Sequence, residues 1–310
     1  MTAMAAYLSA QHHIPVDRVA EILADLAGVE PSPGFIVQAC RRVAGAVAPA
    51  NTAITDAIAA APVAHFDESV TRVAGRNHWP HTAATATLTA YHIDEHGRSA
   101  KSIVAFGILP RFTGVAIHDA YSAYNGFACV HALCNAHVLR EAAGIGEHDR
   151  VARDDGWAAD LVDLLGDAHR WVRHWQDKGH RQLPAFKLAD PRGRYDRLIE
   201  RALNVHPPRT GKQTPARNLA LRLRDRKDEF LRFAADFTIA FSNNTAEQAI
   251  RMIKTKTKVS GGFRALSGAQ TFLALRGYIS TVGKNGQRAM SALRDALTGR
   301  PWTPTVLPAT

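Results

Sequence analysis

Glu247 is the residue whose setting most invites chemistry. It lies in the run Ser242-Asn243-Asn244-Thr245-Ala246-Glu247-Gln248-Ala249-Ile250-Arg251. Over residues 241–310, ten Lys or Arg accompany only one other acid, Asp295. A carboxylate in such a basic field is either an ordinary ion-pair partner or a metal ligand beside a polyanion. Two more acids stand where strand-like patterning ends: Asp67 follows the apolar run 62–66, and Asp119 closes the run 114–118. Carboxylates at two strand ends and a helix first turn suit Mg²⁺, which takes oxygen ligands and usually only one or two protein carboxylates per ion. Two such ions about 4 Å apart activate the attacking oxygen and stabilise the leaving one in phosphodiester displacement. Each acid taken alone is as readily a solvated surface group.

Other residues compete for these roles or support them. Glu68 adjoins Asp67, but successive strand residues face opposite sides. Asp236 is a rival for the third position and lacks the Asn-Asn context of Glu247. Arg251 and Lys254 lie one or two turns beyond Glu247, broadly on its face, and suit phosphate contact. Lys256 and Lys258 alternate in what reads as an extended segment pointing one way. The plainer reading is a solvated face with a Glu247–Arg251 pair worth about 0.3–0.5 kcal/mol. Cys129, His131, Cys134 and His137 carry zinc-type donors, but the Cys129-x-His131 pair is too tight for an ordinary closed site, so zinc is not expected. Cys134 and His137, three apart on one helix, either pack that helix or set His137 near the scissile phosphate.

The elements that must hold these residues follow from pattern. Residues 1–61 read as helical: Val19, Ile22, Leu23 and Leu26 recur at helical spacing and stop at Gly28. Ser32 then caps a helix with Pro33 at its first position. Such a pair has the form of a helix-turn-helix and equally of plain packing. Residues 62–146 read as the first part of a mixed sheet. Its expected strands are 62–66, 81–93, 102–106, 114–118 and 127–131, with a helix over 135–143. Residues 147–235 form a helical insertion, broken at Pro191 and at Pro207-Pro208. Residues 236–310 complete the core with the Glu247 helix and basic C-terminal helices. The implied class is α/β, a mixed sheet with helices packed on it.

Composition narrows the setting. A chain of 310 residues, 46% hydrophobic, can bury a substantial core. No apolar run approaches the roughly 18 residues that span a bilayer, and no secretory leader is evident. Three cysteines make no disulfide framework, which fits a reducing cytoplasm. With 38 Lys or Arg against 28 acids and a pI near 9.8, a polyanionic partner is expected, nucleic acid before membrane.

These residues together resemble the transposases of the insertion sequence 66 family. The first block is His65-Phe66-Asp67-Glu68-Ser69 with Arg72-Val73-Ala74-Gly75 and Trp79. A second runs from Gly107-Ile108-Leu109-Pro110-Arg111-Phe112 to His118-Asp119-Ala120-Tyr121 and Tyr124. A third spans Cys129 to His137, closed by Leu139-Arg140-Glu141, and the last is the Glu247 string continued through Lys256, Lys258 and Gly261-Gly262-Phe263-Arg264. The resemblance implies an RNase H-like fold and an Asp-Asp-Glu triad of Asp67, Asp119 and Glu247 holding Mg²⁺, with Mn²⁺ as substitute. It implies DNA contacts at Arg251, Lys254, Lys256, Lys258 and Arg264, and it raises an active-site role for Cys134 and His137, since such a pair recurs in related transposase groups. Double-stranded DNA at transposon ends and target, a homo-oligomeric synaptic complex and accessory proteins of the element are the implied partners, in a cytoplasmic, nucleoid-associated setting. Expected activity is DNA cleavage and strand transfer. The alternatives are a nuclease that only hydrolyses DNA and an idle DNA-binding remnant. Ser69, Gln248 and Ser242 replace the family's usual Thr, Arg and Asp. An upstream zinc and DNA-binding region of fuller members is expected to be missing.

Overall fold

A computed structural model of the chain describes residues 1–305, which divide into two compact units. The first contains residues 1–114, 121–129 and 244 onward; the second contains 115–120 and 130–243. Four helices open the first unit: α1 (Thr2–Gln11), α2 (Val16–Ala27), α3 (Pro33–Ala46) and α4 (Ala48–Ala59). Helix α2 ends at Gly28 as its periodicity predicts, and the Ser32 hydroxyl accepts the Phe35 N–H at 3.2 Å to start α3. Ala5, Val19, Leu23, Ile36 and Ala39 seal the first three helices together.

Strand β1 (Val63–Glu68) pairs antiparallel with β4 (His81–Ala84), which pairs antiparallel with β5 (Thr89–His92). The expected single strand over 81–93 is thus a hairpin. The Thr85 hydroxyl accepts the N–H groups of Thr87 (3.2 Å) and Leu88 (3.0 Å), closing a turn inside what reads as one Thr-rich run. A small hairpin of β2 (Thr71–Val73) and β3 (Arg76–His78) has no counterpart in the sequence expectation. Residues 102–106 are a further correction: α5 (Ala100–Phe106) is helical, not a strand. The Asp94 carboxylate accepts the Ser102 hydroxyl at 2.8 Å and the His96 N–H at 2.9 Å. These bonds tie the 94–96 turn to the first turn of α5 through the Ser102 side chain.

Helix α12 (Asn244–Ser260) packs against β1 and β4, and α13 (Leu266–Lys284) packs against β5. Thr281 exchanges hydrogen bonds with the backbone of Thr89, donating to its carbonyl (3.1 Å) and accepting its N–H (3.0 Å). The Tyr91 hydroxyl donates to the Ala249 carbonyl at 2.8 Å, tying β5 to α12. Helix α14 (Ala289–Leu297) rests on α13, α1 and α3.

In the second unit, β6 (Val115–His118) and β7 (Val130–Leu133) run parallel in register Val115↔Val130 to His118↔Leu133. Helix α6 (Asn135–His148) follows β7 directly. Helices α7 (Arg150–Asp155), α8 (Trp157–Asp177), α9 (Ala185–Val205), α10 (Pro215–Asp225) and α11 (Lys227–Ala235) complete this unit around a core centred on Trp157, Tyr195, Phe230 and Phe233. Pro191 lies inside α9 rather than ending it, a correction to the expected break. It stands early in that helix and is itself buried, so the packing of Tyr195, Leu198 and Ile199 holds the turn that it would weaken.

Gly114, just before β6, belongs to the first unit and fixes how closely the chain approaches the entry to β1. A Cβ there would stand 2.5 Å from the carbonyl oxygens of both Ala61 and Pro62. We expect Gly114→Ala to lower the unfolding free energy by about 1–3 kcal/mol through forced backbone displacement. Urea denaturation checks this; a midpoint equal to wild type would show that the approach relaxes without cost.

Candidate active site

Asp67 is the fifth residue of β1 and is half-buried, opposite Thr82 in the β1–β4 register. Its carboxylate accepts the Glu68 N–H at 2.9 Å. Glu68 points to the other side of the strand, as alternation requires. Only 1% of its side chain is exposed; Arg98 grips it through Nη2 (2.6 Å) and Nε (2.7 Å), and the Tyr124 hydroxyl donates to it at 2.5 Å. Arg98 also lies over the Tyr121 ring, 3.9 Å from its centroid, and its carbonyl accepts the Tyr121 hydroxyl. Glu68 is therefore committed to a buried clamp.

Glu247 is half-buried in the first turn of α12, where a carboxylate is favoured by the helix dipole. Because α12 lies against β1, Asp67 and Glu247 are carried by two elements in direct contact within one unit. Arg251, Lys254 and Lys258 are exposed along α12, and Arg264 is exposed just beyond it. Gln248 is exposed too.

Lys256 and Lys258 lie on the helix rather than in an extended segment, which corrects the alternation reading. The Thr255, Thr257 and Ser260 hydroxyls each donate to the carbonyl four residues back, so these polar side chains are satisfied on the helix itself. The Lys256 ammonium turns toward the helix's own end. It donates to the Gly261 carbonyl at 2.9 Å and sits 4.1 Å from the Phe263 ring centroid. Burial pushes its pKa down to about 8.

Asp119 belongs to the second unit and follows β6 immediately, half-buried, at the strand end where its pattern places it. Its neighbour His118 is fully buried. The His118 Nδ1 donates to the Asp119 carbonyl, so in the neutral ring Nε2 is left to accept from His131 Nδ1, 2.9 Å away. Burial pushes the His118 imidazole down to about 3, with smaller contributions from His131 and Arg226, against the opposing bond to Asp119. The His131 carbonyl in turn accepts from Arg232 Nε at 3.0 Å.

Cys134 caps the entry to α6 and is buried; its N–H donates to the His118 carbonyl at 3.0 Å and its Sγ accepts the Asn243 N–H at 3.1 Å. His137 stands in the first turn of α6. Cys40, Cys129 and Cys134 are all buried, and burial raises the Cys129 thiol pKa. Asp236 accepts the N–H (2.9 Å) and hydroxyl (2.7 Å) of Thr238 in a local turn. The Glu68–Arg98–Tyr124 clamp and the His118–His131 pair were not foreseen from sequence. Arg98 lies thirty residues from Glu68 with no spacing signal, whereas His118, next to Asp119, was the detectable clue.

The picture is of a mixed α/β protein with carboxylates at strand ends and at the head of a basic helix. The chain belongs to the family described as "Transposase IS66 family", whose sequence model matches residues 1–271. That membership gives it a transposase role, an enzyme class that acts on DNA. No curated protein matches the chain. Among the described residues no helix is long and apolar enough to cross a membrane.

Neutral, buried His118 links stability to pH. Its pKa in the fold lies below the ordinary 6.5, so its contribution is full above about pH 6.5 and is lost as the pH falls toward 3. Between about pH 7.5 and 5.5 we expect wild type to lose about 1.4 kcal/mol more unfolding free energy than His118→Gln. Denaturant titrations at the two pH values measure the difference; identical losses would place a charged imidazole in the fold.

Proposed function

We propose that the chain is a DDE-type transposase catalytic region on an RNase H-like core, with Asp67, Asp119 and Glu247 as its metal-holding triad. The observation that carries this reading is that Asp67 and Glu247, 180 positions apart in sequence, sit on packed elements of one unit, within a family match covering residues 1–271. Asp119, at the end of β6, supplies the third carboxylate. The donor set fits a hard divalent cation: three half-buried carboxylates offer oxygen only. Mg²⁺ is the cation that this set suits best, and Mn²⁺ would substitute.

When bound, such ions activate a water or a 3′-hydroxyl and stabilise the leaving oxygen during in-line displacement at phosphorus. The chain's own residues supply the rest. Strand β1 and helix α12 hold their carboxylates on rigid elements, so little reorganisation is needed when DNA arrives. The hydrogen bond from His118 to the Asp119 carbonyl fixes the backbone of the second acid. Exposed Arg251, Lys254, Lys258 and Arg264 draw in the sugar–phosphate backbone by charge. Lys256 is given a structural role instead, since its ammonium already serves the helix end. Cys134 acts through packing at the start of α6, and His137 stands on the same first turn.

The reaction sequence proposed is hydrolysis at the transposon end to free a 3′-hydroxyl, followed by attack of that hydroxyl on target DNA. Two ends must be held together, which calls for a homo-oligomeric complex during the reaction. The test is a cleavage and strand-transfer assay on element-end DNA with Mg²⁺. Wild type should give both products, and Asp119→Ala should lower both about 100-fold or more. Activity that survives Asp119→Ala contradicts the triad. Cleavage without joining favours a hydrolytic nuclease, and DNA binding without nicking under any divalent metal favours a remnant.

A further inference from the structure

The β2–β3 hairpin carries Arg72 and Arg76, both exposed, and no role has so far been given to either. No carboxylate occurs over residues 70–93, and none over 248–294. Among the described residues neither Arg72 nor Arg76 makes an ion pair; Arg72 Nη1 donates to Asn77 Oδ1 at 3.1 Å across the hairpin. Two exposed cations without acids would ordinarily be a solvated turn. What separates this turn from that case is how firmly it is mounted, and on what.

Its mount is the segment that leaves the Glu247 helix. Phe263 forms a parallel bridge with Val73: the Phe263 N–H donates to the Arg72 carbonyl at 2.8 Å, and the Ala74 N–H donates to the Phe263 carbonyl at 2.8 Å. Gly262 makes the approach possible, since a Cβ there would lie 2.7 Å from the Arg72 carbonyl oxygen. The Thr71 and Thr257 hydroxyls meet at 3.3 Å, a second tie between hairpin and α12. The Lys256 ammonium then braces the same segment through Gly261 and the Phe263 ring. One half-buried cation thereby fixes the ground beneath several exposed ones.

We infer that the β2–β3 hairpin and the end of α12 form one rigid cationic platform, built from Arg72, Arg76, Lys258 and Arg264, for the backbone of duplex DNA. The inference rests on the proposed DNA-processing role and adds to it where the duplex is held. From Glu247 to Lys258 is eleven residues, about 16 Å along the helix axis. That rise matches roughly five base pairs of duplex, so the platform would grip phosphates about half a turn from the site of reaction. Because it touches phosphates and not base edges, it would hold any sequence equally.

The experiment is the salt dependence of binding of the full chain to a mixed-sequence duplex, in chelator and without divalent metal. Arg72→Ala/Arg76→Ala should flatten the slope of log K against log salt by about 1.8, the loss of two phosphate contacts. Arg72→Lys/Arg76→Lys should keep the wild-type slope, which guards against an effect of misfolding. A double alanine variant with the wild-type slope overturns the platform while leaving the DNA-processing role intact. A wild-type chain with no salt-dependent binding overturns both. Failure of the metal triad would leave this measurement unchanged, because no metal is present.

Discussion

Two adjacent carboxylates on one strand cannot face the same way, and much of the first unit follows from that constraint on β1. Glu68 turns inward, where an ionised group is tolerable only if it is paired and hydrogen-bonded. Arg98, Tyr124 and, through Arg98, Tyr121 meet that demand. The clamp pins residues 121–129 to β1, directly after the chain has passed Asp119. Asp67 is left on the opposite side of the strand, half-buried. With α12 lying on β1 and β4, the same strand also positions the head of the Glu247 helix.

Histidine, cysteine and lysine each take a structural part that their types alone would not reveal. His118 is neutral and spans from the Asp119 carbonyl to His131, so its ring acts as a spacer at the end of β6. The buried Cys134 Sγ accepts the Asn243 backbone N–H at the start of α6. Lys256 spends its charge on the carbonyls and aromatic face at the end of α12. In each case burial decides: a polar group withdrawn from water must find its partner within the protein.

The sequence made some features legible because their signals are local. The Ser32-Pro33 helix start, the Gly28 stop and β6 running into Asp119 all depend on neighbours within a turn or two. Other features were hidden because distant partners set them. The 102–106 run has strand-like residues, yet it is helical, with the Ser102 hydroxyl tied back to Asp94 in the preceding turn. The β4–β5 turn falls within an unbroken Thr- and Ala-rich run, with Lys284 donating to the Thr85 and Leu88 carbonyls from far along the chain. Pro191 reads as a break, but packing around Tyr195 carries α9 through it. The β2–β3 hairpin depends on Gly262, nearly two hundred residues away, and no short-range pattern announces that contact.

The central claim is that Asp67, Asp119 and Glu247 serve one metal centre. Iron-mediated backbone cleavage tests it most directly: Fe²⁺ bound in place of Mg²⁺ generates radicals that cut the chain beside its ligands. The account predicts three cuts, near residues 67, 119 and 247, all suppressed by excess Mg²⁺ and all weakened together in Asp119→Asn. Cuts confined to one of these positions, or clustered around Glu68, Asp236 or the cysteines, would contradict it.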